Sequence, residues 1–246
     1  MDFPLTLPKN CLPREVLKRI RSDMNFMVYH GTPITPNSVF EEHMRFRNAL
    51  VSFARTDQFK LSLVHAKEIM IDNGAFSIWT KNKRSKNPKK MNWDSYFSWI
   101  DNVYAEITDY IIPDVIDGSE AENDYLLTED NLMTGIPVWH VNESFDRLER
   151  LASDYHYIAF GSAGEYGTLG TAKWHDKVGQ AMKILSDDDG YPKIKVHMLR
   201  CLNHKIFSMY PFYSGDSTNL ARNHARDTPE KILERLQDKD SLSKIQ

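Results

Sequence analysis

The chain has 246 residues, of which 41% are hydrophobic and 26% are charged, a composition typical of a soluble globular protein. Its formal net charge of −3 argues against a wholly basic nucleic-acid-binding surface, although a local basic patch would suffice to contact phosphates. The cysteines, Cys11 and Cys201, are too few for a disulfide framework or a cysteine zinc site. No apolar run reaches membrane-spanning length and no signal-peptide pattern is present, which predicts a cytoplasmic protein without a membrane partner.

Taken in order, the chain alternates short apolar runs with longer amphipathic stretches, which is the pattern of βα units. Strands are predicted at residues 25–29, 68–71, 110–113, 136–139, 157–160, 194–197 and 209–213. Helices are predicted at residues 13–20, 37–54, 93–107, 144–152 and 171–185. Ser119 and Glu122 have the spacing of a capping box, which predicts a further helix after them.

The alternation predicts an α/β fold, a single (β/α)8 TIM-like barrel domain over residues 1–246. Within that domain, residues 81–90 are predicted to form a basic loop and residues 225–246 a C-terminal helical tail. About seven strands are recognisable, against the eight of a closed barrel. An open doubly wound sheet is the alternative, but no glycine-rich phosphate fingerprint follows the first strand.

Polar residues and a glycine follow the predicted strands. They are His30, Asp72, Asp114, His140, Gly161, His197 and Asp216. In a parallel barrel such positions converge on the C-terminal rim, where substrates bind. Carboxylates on one rim repel one another unless each has a partner or a task, so the three aspartates predict an enzyme. For Asp216 alone, which lies among small residues, an Asx-type turn is the alternative.

Several stretches resemble, in the same order along the chain, motifs of the tRNA-guanine transglycosylase family. IDNGAFS at 71–77 resembles its Asp-Ser-Gly-Gly-Phe-Gln motif, and IIPDVIDG at 111–118 its acidic strand end. AFGSAGEYG at 159–167 is similar to its glycine-rich loop with a glutamate, VHMLRCL at 196–202 to its His-Tyr-Leu-Met-Gly strand, and YSGDSTNLARN at 213–223 to its nucleophile stretch. The set is most similar to short virus-encoded members that place 7-deazaguanine bases in DNA.

The resemblance implies a catalytic pair of carboxylates. Asp216 would be the nucleophile that attacks C1′ of the target nucleotide and expels guanine, which leaves a covalent glycosyl-enzyme. Asp72 would be the general acid/base that protonates the departing base and deprotonates the incoming one. This division of labour is that of retaining glycosidases, whose oxocarbenium-like transition state favours two carboxyl groups.

The resemblance also implies a set of contacts to the base. Phe76 would stack on the ring, as aromatic side chains do with flipped bases. Asp114, or alternatively Asp117, would accept from the base N1–H and exocyclic amine, while the backbone of Gly161 and Ser162 would donate to O6. The remaining implied contacts are Glu165, which would buttress that loop, His140, which stands where the family has a glutamine, and His197, for which a hydrogen-bonded core or rim histidine is the alternative.

Nucleic acid is the expected partner, and basic residues are candidates to hold its phosphates. The candidates are Lys81, Lys83, Arg84 and Lys86 of the run KNKRSKNPKK, together with Arg222 and His224. The alternatives are a solvated mobile loop for the run and solvent-facing side chains for Arg222 and His224.

Departures from the family decide which nucleic acid is favoured. Residues 225–246 contain neither cysteine nor histidine, so the zinc-binding subdomain that helps the tRNA enzymes hold tRNA is not expected. We therefore expect no metal and no cofactor, and favour DNA as the polymer and a 7-deazaguanine as the incoming base. A tRNA enzyme and a non-catalytic nucleic-acid-binding barrel are the alternatives. Many members of the family form dimers, so a homodimer is compatible with the resemblance.

Overall fold

The structure, a computed structural model, describes residues 11–23, 25–85 and 92–237. Within these residues the chain forms a parallel sheet of eight strands in the order β4-β3-β2-β1-β8-β7-β6-β5. The strands are β1 (Met27–Gly31), β2 (Asn48–Ser52), β3 (Glu68–Asp72), β4 (Asp109–Tyr110), β5 (Val138–His140), β6 (Tyr157–Gly161), β7 (Lys195–Met198) and β8 (Ser214–Ser217). Helices alternate with them, so the predicted α/β fold of the (β/α)8 barrel class is confirmed.

Several helices begin at residues whose side chains cap them. Ser119 and Glu122 form the predicted capping box, and Ser144 and Thr171 accept hydrogen bonds from the third residue after each of them. The helices are α1 (Arg14–Asp23), α2 (Asn37–Met44), α3 (Phe59–His65), α4 (Ala75–Asn82), α5 (Trp93–Val103), α6 (Glu120–Thr128), α7 (Phe145–Asp154), α8 (Ala172–Ile184), α9 (His204–Met209), α10 (Asn219–Asn223) and α11 (Pro229–Gln237). None of these helices in the described part of the chain is long and apolar enough to cross a membrane.

The chain divides into two compact units. The first unit comprises the described residues within 1–28, 139–216 and 227–246, and the second comprises those within 29–138 and 217–226. In the second unit, β2 and β3 pair in parallel with Val51 opposite Ile71. The three central side chains of each strand are apolar and buried at successive positions, as expected for strands covered on both faces.

Strand β2 corrects the prediction of one helix over residues 37–54. The helix ends at Met44, Phe46 takes a left-handed backbone with φ of 61°, and residues 48–52 then form the strand. Ala49, Leu50 and Val51 are at most 6% exposed. A short apolar run buried on both faces has the same sequence pattern in a helix and in a strand, so periodicity alone could not separate them.

Strand β8 lies later in the chain than predicted. Residues 209–213 do not form a strand, and Met209 is the last residue of α9. The strand comprises Ser214–Ser217, so Asp216 lies inside it. A Cβ at Gly215 would lie 2.5 Å from Cζ of Phe207 and 2.6 Å from the Cys201 carbonyl oxygen. Close packing against the neighbouring chain therefore requires glycine at position 215, and Asp216 lies in a strand rather than in the Asx-type turn that was its alternative.

Candidate active site

Asp216 is a buried carboxylate held by one of its two oxygens. The residue is 3% exposed. Its Oδ1 accepts a hydrogen bond from the Arg200 backbone N–H at 2.7 Å and lies 3.2 Å from Nε2 of His197. Among the described residues nothing donates to Oδ2. Oδ1 is thus held in place by hydrogen bonds, and Oδ2 is the oxygen that can react.

A chain of hydrogen-bonding side chains leads to this carboxylate. The Tyr157 hydroxyl lies 2.5 Å from Oγ of Ser214, and that Oγ lies 2.6 Å from Nδ1 of His197. In the Nε2–H tautomer of His197, Nε2 donates to Asp216 and Nδ1 accepts from the Ser214 hydroxyl, which leaves Ser214 Oγ to accept from Tyr157. The chain places His197 against one oxygen of Asp216 and so orients its carboxylate.

Cys201 lies close to the carboxylate but is not a nucleophile. Burial raises the pKa of its thiol to about 12, and the charge of Asp216 raises it as well. A cysteine reacts as its thiolate, which this environment disfavours. Cys201 is 2% exposed and packs as a small buried residue.

The end of β6 and the loop after it contain residues that were predicted to contact the base. In Ser162, both the side-chain hydroxyl and the backbone carbonyl are hydrogen-bonded. Ser162 is 4% exposed, and its Oγ accepts a hydrogen bond of 2.9 Å from Nε1 of Trp174. Its carbonyl oxygen accepts one of 2.6 Å from Nη2 of Arg200. Gly161 is the last residue of β6, and Glu165 forms an ion pair with Lys173 of α8. The glutamate therefore ties the loop to the following helix.

His140 lies at the end of β5, where a buried ion pair holds its backbone. Oε2 of Glu143 accepts from the His140 N–H at 2.8 Å and from Nη1 of Arg147 at 2.6 Å. Glu143 and Arg147 are 4% and 1% exposed, so removing either partner would leave a buried charge uncompensated. Sequence reasoning missed this pair, although its spacing of four residues at the start of α7 was a usable signal.

In the second unit, Asp72 ends β3 and starts a tight turn. Its Oδ2 accepts a hydrogen bond of 3.2 Å from the N–H of Gly74. Gly74 has φ of 80°, and a Cβ there would lie 2.9 Å from the backbone nitrogen of Ala54, so only glycine fits. The turn leads directly into α4, which contains Phe76. Burial and the nearby charge of Asp72 both raise the pKa of Tyr96 well above its ordinary value.

Asn73, which sequence reasoning missed, ties the end of β3 to Asp114. Its Nδ2 donates to the Ile112 carbonyl at 2.9 Å and to Oδ1 of Asp114 at 2.8 Å, while its Oδ1 accepts from the Ala75 N–H at 2.8 Å. Asn73 is 2% exposed and Asp114 is 8% exposed. An asparagine between an aspartate and a glycine indicates a turn in the sequence, but nothing in it indicates the partner 41 residues away.

Replacing Asn73 with aspartate should destabilise the protein by about 3 kcal/mol, because a carboxylate would face Asp114 and the Ile112 carbonyl without a proton to donate. The free energy of unfolding in urea at neutral pH measures this. The matched control is Asn131→Asp at an exposed turn position, which should change stability by less than about 0.5 kcal/mol. Equal losses in both variants would mean that the Asn73 hydrogen bonds do not hold the strand ends.

Phe76 and Trp79 form an aromatic surface next to Asp117. Their ring centroids are 5.5 Å apart, and Phe76 is 39% exposed. Nε1 of Trp79 donates to Oδ2 of Asp117 at 2.6 Å, and Nζ of Lys83 lies 3.7 Å from the Trp79 ring centroid. Both candidate base-reading aspartates thus have protein partners, Asn73 for Asp114 and Trp79 for Asp117. The aromatic surface can stack on a planar base.

The predicted phosphate contacts that the structure describes are mostly exposed. Lys81 belongs to α4 rather than to a loop, while Lys83 and Arg84 follow that helix. Lys86 lies outside the described residues. Arg222 is exposed on α10, and His224 is the residue that follows that helix. The predicted helical tail over 225–246 contains α11 (Pro229–Gln237) within the residues described. Residues 11–23, 25–85 and 92–237 hold no cluster of His, Cys, Asp and Glu that could bind a metal ion.

No model of a known protein family matches the sequence, and no curated protein matches it. Solved structures do. One is a protein from Coccidioides immitis assigned as a fructose-1,6-biphosphate aldolase, with 9% identity, a TM-score of 0.49 and coverage of 94% of this chain and 96% of that one. Another is a mutant tryptophan synthase alpha-subunit from Pyrococcus furiosus, with 8% identity, a TM-score of 0.46 and coverage of 98% and 99%. At these levels the similarities have no bearing on substrate or reaction.

Proposed function

We propose that this protein is a base-exchange transglycosylase that replaces guanine in DNA with a 7-deazaguanine derivative through a covalent aspartyl-glycosyl intermediate. The observation that carries the proposal is the state of Asp216. Its Oδ1 is held by the Arg200 N–H and by His197, while Oδ2 receives no hydrogen bond from the described residues. A buried carboxylate oriented in this way suits attack at an anomeric carbon.

In the first half-reaction, Oδ2 of Asp216 attacks C1′ of the target nucleotide as the bond from C1′ to N9 of guanine breaks. The electron pair of that bond leaves with guanine, and Asp72 supplies the proton that neutralises it. Positive charge develops on the sugar in the transition state, and the Asp216 carboxylate stabilises it before the covalent bond forms. The hydrogen-bond chain through His197 keeps the attacking oxygen oriented.

In the second half-reaction, Asp72 accepts the N9 proton of the incoming base. N9 then attacks C1′, the ester bond to Asp216 breaks, and its electron pair returns to the carboxylate. Phe76 and Trp79 offer the face on which a purine-like ring can stack, and Asp114 or Asp117 can accept from its N–H edge. The loop of Gly161 and Ser162 can donate to O6 from its backbone. The exposed Lys81, Lys83, Arg84 and Arg222 can contact phosphates.

The proposal is tested by incorporation of labelled guanine. The protein is incubated with the label and with duplex DNA, single-stranded DNA or bulk tRNA, and label in the polymer is counted. We expect label in DNA and none in an Asp216→Asn control. Label in tRNA alone would contradict the choice of DNA and make the chain a tRNA enzyme. Label in none of them, with nucleic-acid binding still detectable, would contradict guanine exchange and favour a non-catalytic binding protein.

A further inference from the structure

Arg200 has a backbone conformation that non-glycine residues rarely adopt. It follows β7 with φ of 57°, in the left-handed region. A side chain in this conformation costs on the order of 1 kcal/mol, and such residues persist only where other contacts hold them. Glycine would adopt the same backbone without that cost. The presence of arginine therefore indicates that its side chain does something that glycine could not.

The two ends of Arg200 bind two different parts of the first unit. Its backbone N–H donates to Oδ1 of Asp216 at 2.7 Å. Its guanidinium Nη2 donates to the carbonyl oxygen of Ser162 at 2.6 Å, across 38 residues of sequence. One residue thus contacts both the proposed nucleophile and the loop proposed to read the base. Hydrogen bonds from a charged guanidinium are among the stronger ones in proteins.

The contact with Ser162 orients the peptide plane of the loop. The peptide between Ser162 and Ala163 is planar and trans, so fixing the Ser162 carbonyl also fixes the direction of the Ala163 N–H, which points the opposite way. The Ser162 hydroxyl is separately bound by Nε1 of Trp174 at 2.9 Å. With the Ser162 carbonyl bound, the Ala163 N–H has a defined direction. A donor of defined direction is what recognition of a carbonyl oxygen requires.

We propose that Arg200 is a positioning residue that couples the nucleophile to the loop reading a 6-oxopurine base, its backbone holding Asp216 and its guanidinium holding Ser162. The proposal rests on the proposed function for its ligand class, whereas the contact between Arg200 and the loop stands by itself. Lysine could not replace it fully, because an ammonium group is a point charge that lacks the planar, pre-organised fork of guanidinium.

The test compares Arg200→Gly and Arg200→Lys in the full-length protein. Glycine keeps the backbone N–H to Asp216, and the relief of left-handed strain partly offsets the lost hydrogen bond to Ser162, so the fold should be preserved. We expect KM for guanine in the exchange reaction to rise roughly 10- to 100-fold in Arg200→Gly, while kcat changes by less than about threefold. Arg200→Lys should fall between it and the unmodified protein. The control Arg45→Gly, at an exposed residue after α2, should leave KM unchanged.

A second measurement does not depend on the reaction. Hydrogen–deuterium exchange of residues 161–166 should be faster in Arg200→Gly than in the unmodified protein and unchanged in Arg45→Gly. Unaltered hydrogen–deuterium exchange of residues 161–166 would overturn the proposal that Arg200 positions this loop. Equal losses of kcat and thermal stability without a rise in KM would also overturn it, since they would indicate a merely structural residue. If the unmodified protein incorporates no base, the proposed function fails. The hydrogen–deuterium exchange of residues 161–166 still decides whether Arg200 positions this loop.

Discussion

Replacing Asp216 with asparagine is expected to slow base exchange by roughly 10⁴-fold or more while leaving nucleic-acid binding intact. The amide has the same shape and its oxygen can still accept from the Arg200 N–H, but it is neutral and a poor nucleophile. Single-turnover incorporation of labelled guanine measures the loss. Denaturing gels of protein with DNA measure the covalent intermediate, which should be absent from the variant.

The Asp216→Ala variant should behave as Asp216→Asn does, because both remove the attacking oxygen. Asp154→Asn, at an exposed position in α7, is the matched control and should retain full activity. Gel-shift titration with the same DNA checks that binding survives. If either Asp216 variant exchanged base at more than a small fraction of the unmodified rate, Asp216 would not be the nucleophile.

Replacing Asp72 with asparagine is expected to slow exchange by about 10²- to 10⁴-fold, the range over which general acid/base groups act. The fold should be preserved, because an amide oxygen can accept the hydrogen bond that Oδ2 accepts from Gly74. What is lost is the proton for the departing guanine and the base for the incoming ring. Steady-state exchange rates, with circular dichroism to check folding, measure the effect.

A substrate whose base needs no proton isolates the role of Asp72. N7-methylguanine already carries a positive charge when it is attached to the sugar, so it can depart without protonation. With DNA containing this base, Asp72→Asn should form the covalent intermediate near the unmodified rate and then accumulate it. Asp101→Asn, at an exposed position in α5, is the control. A normal exchange rate with ordinary guanine in Asp72→Asn would rule out the acid/base role.

The fold was largely readable from the sequence because its elements carry local signals. The apolar runs of β3 and β6 and the capping residues Ser119 and Ser144 act over a few neighbouring positions, which a sequence shows directly. The strand at 48–52 was missed and the strand at 214–217 was misplaced. In each, the strand is determined by its neighbours: burial on both faces for the first, and the contacts of Gly215 with Phe207 and Cys201 for the second.

The candidate site was readable only in part. Asp72, Asp114 and Asp216 were found because an acidic residue beside an apolar strand is a local pattern. Their partners were not found. Asn73 is 41 residues from Asp114, and the Arg200 side chain reaches a carbonyl 38 residues away, so neither contact has a local signature. Whether Asp114 or Asp117 would contact the base also depends on long-range contacts, since each aspartate has its own distant partner.

The sequence by itself determined the alternation of strands and helices, the acidic residues at the strand ends and the aromatic and basic residues of α4, because these depend on side-chain type and spacing. Only the tertiary structure decided which groups face one another. The register of β7 and β8 sets His197 opposite Ser214, and this pairing brings together the side chains that lead from Tyr157 to Asp216. Register is a property of paired strands, whereas a residue pattern is a property of one.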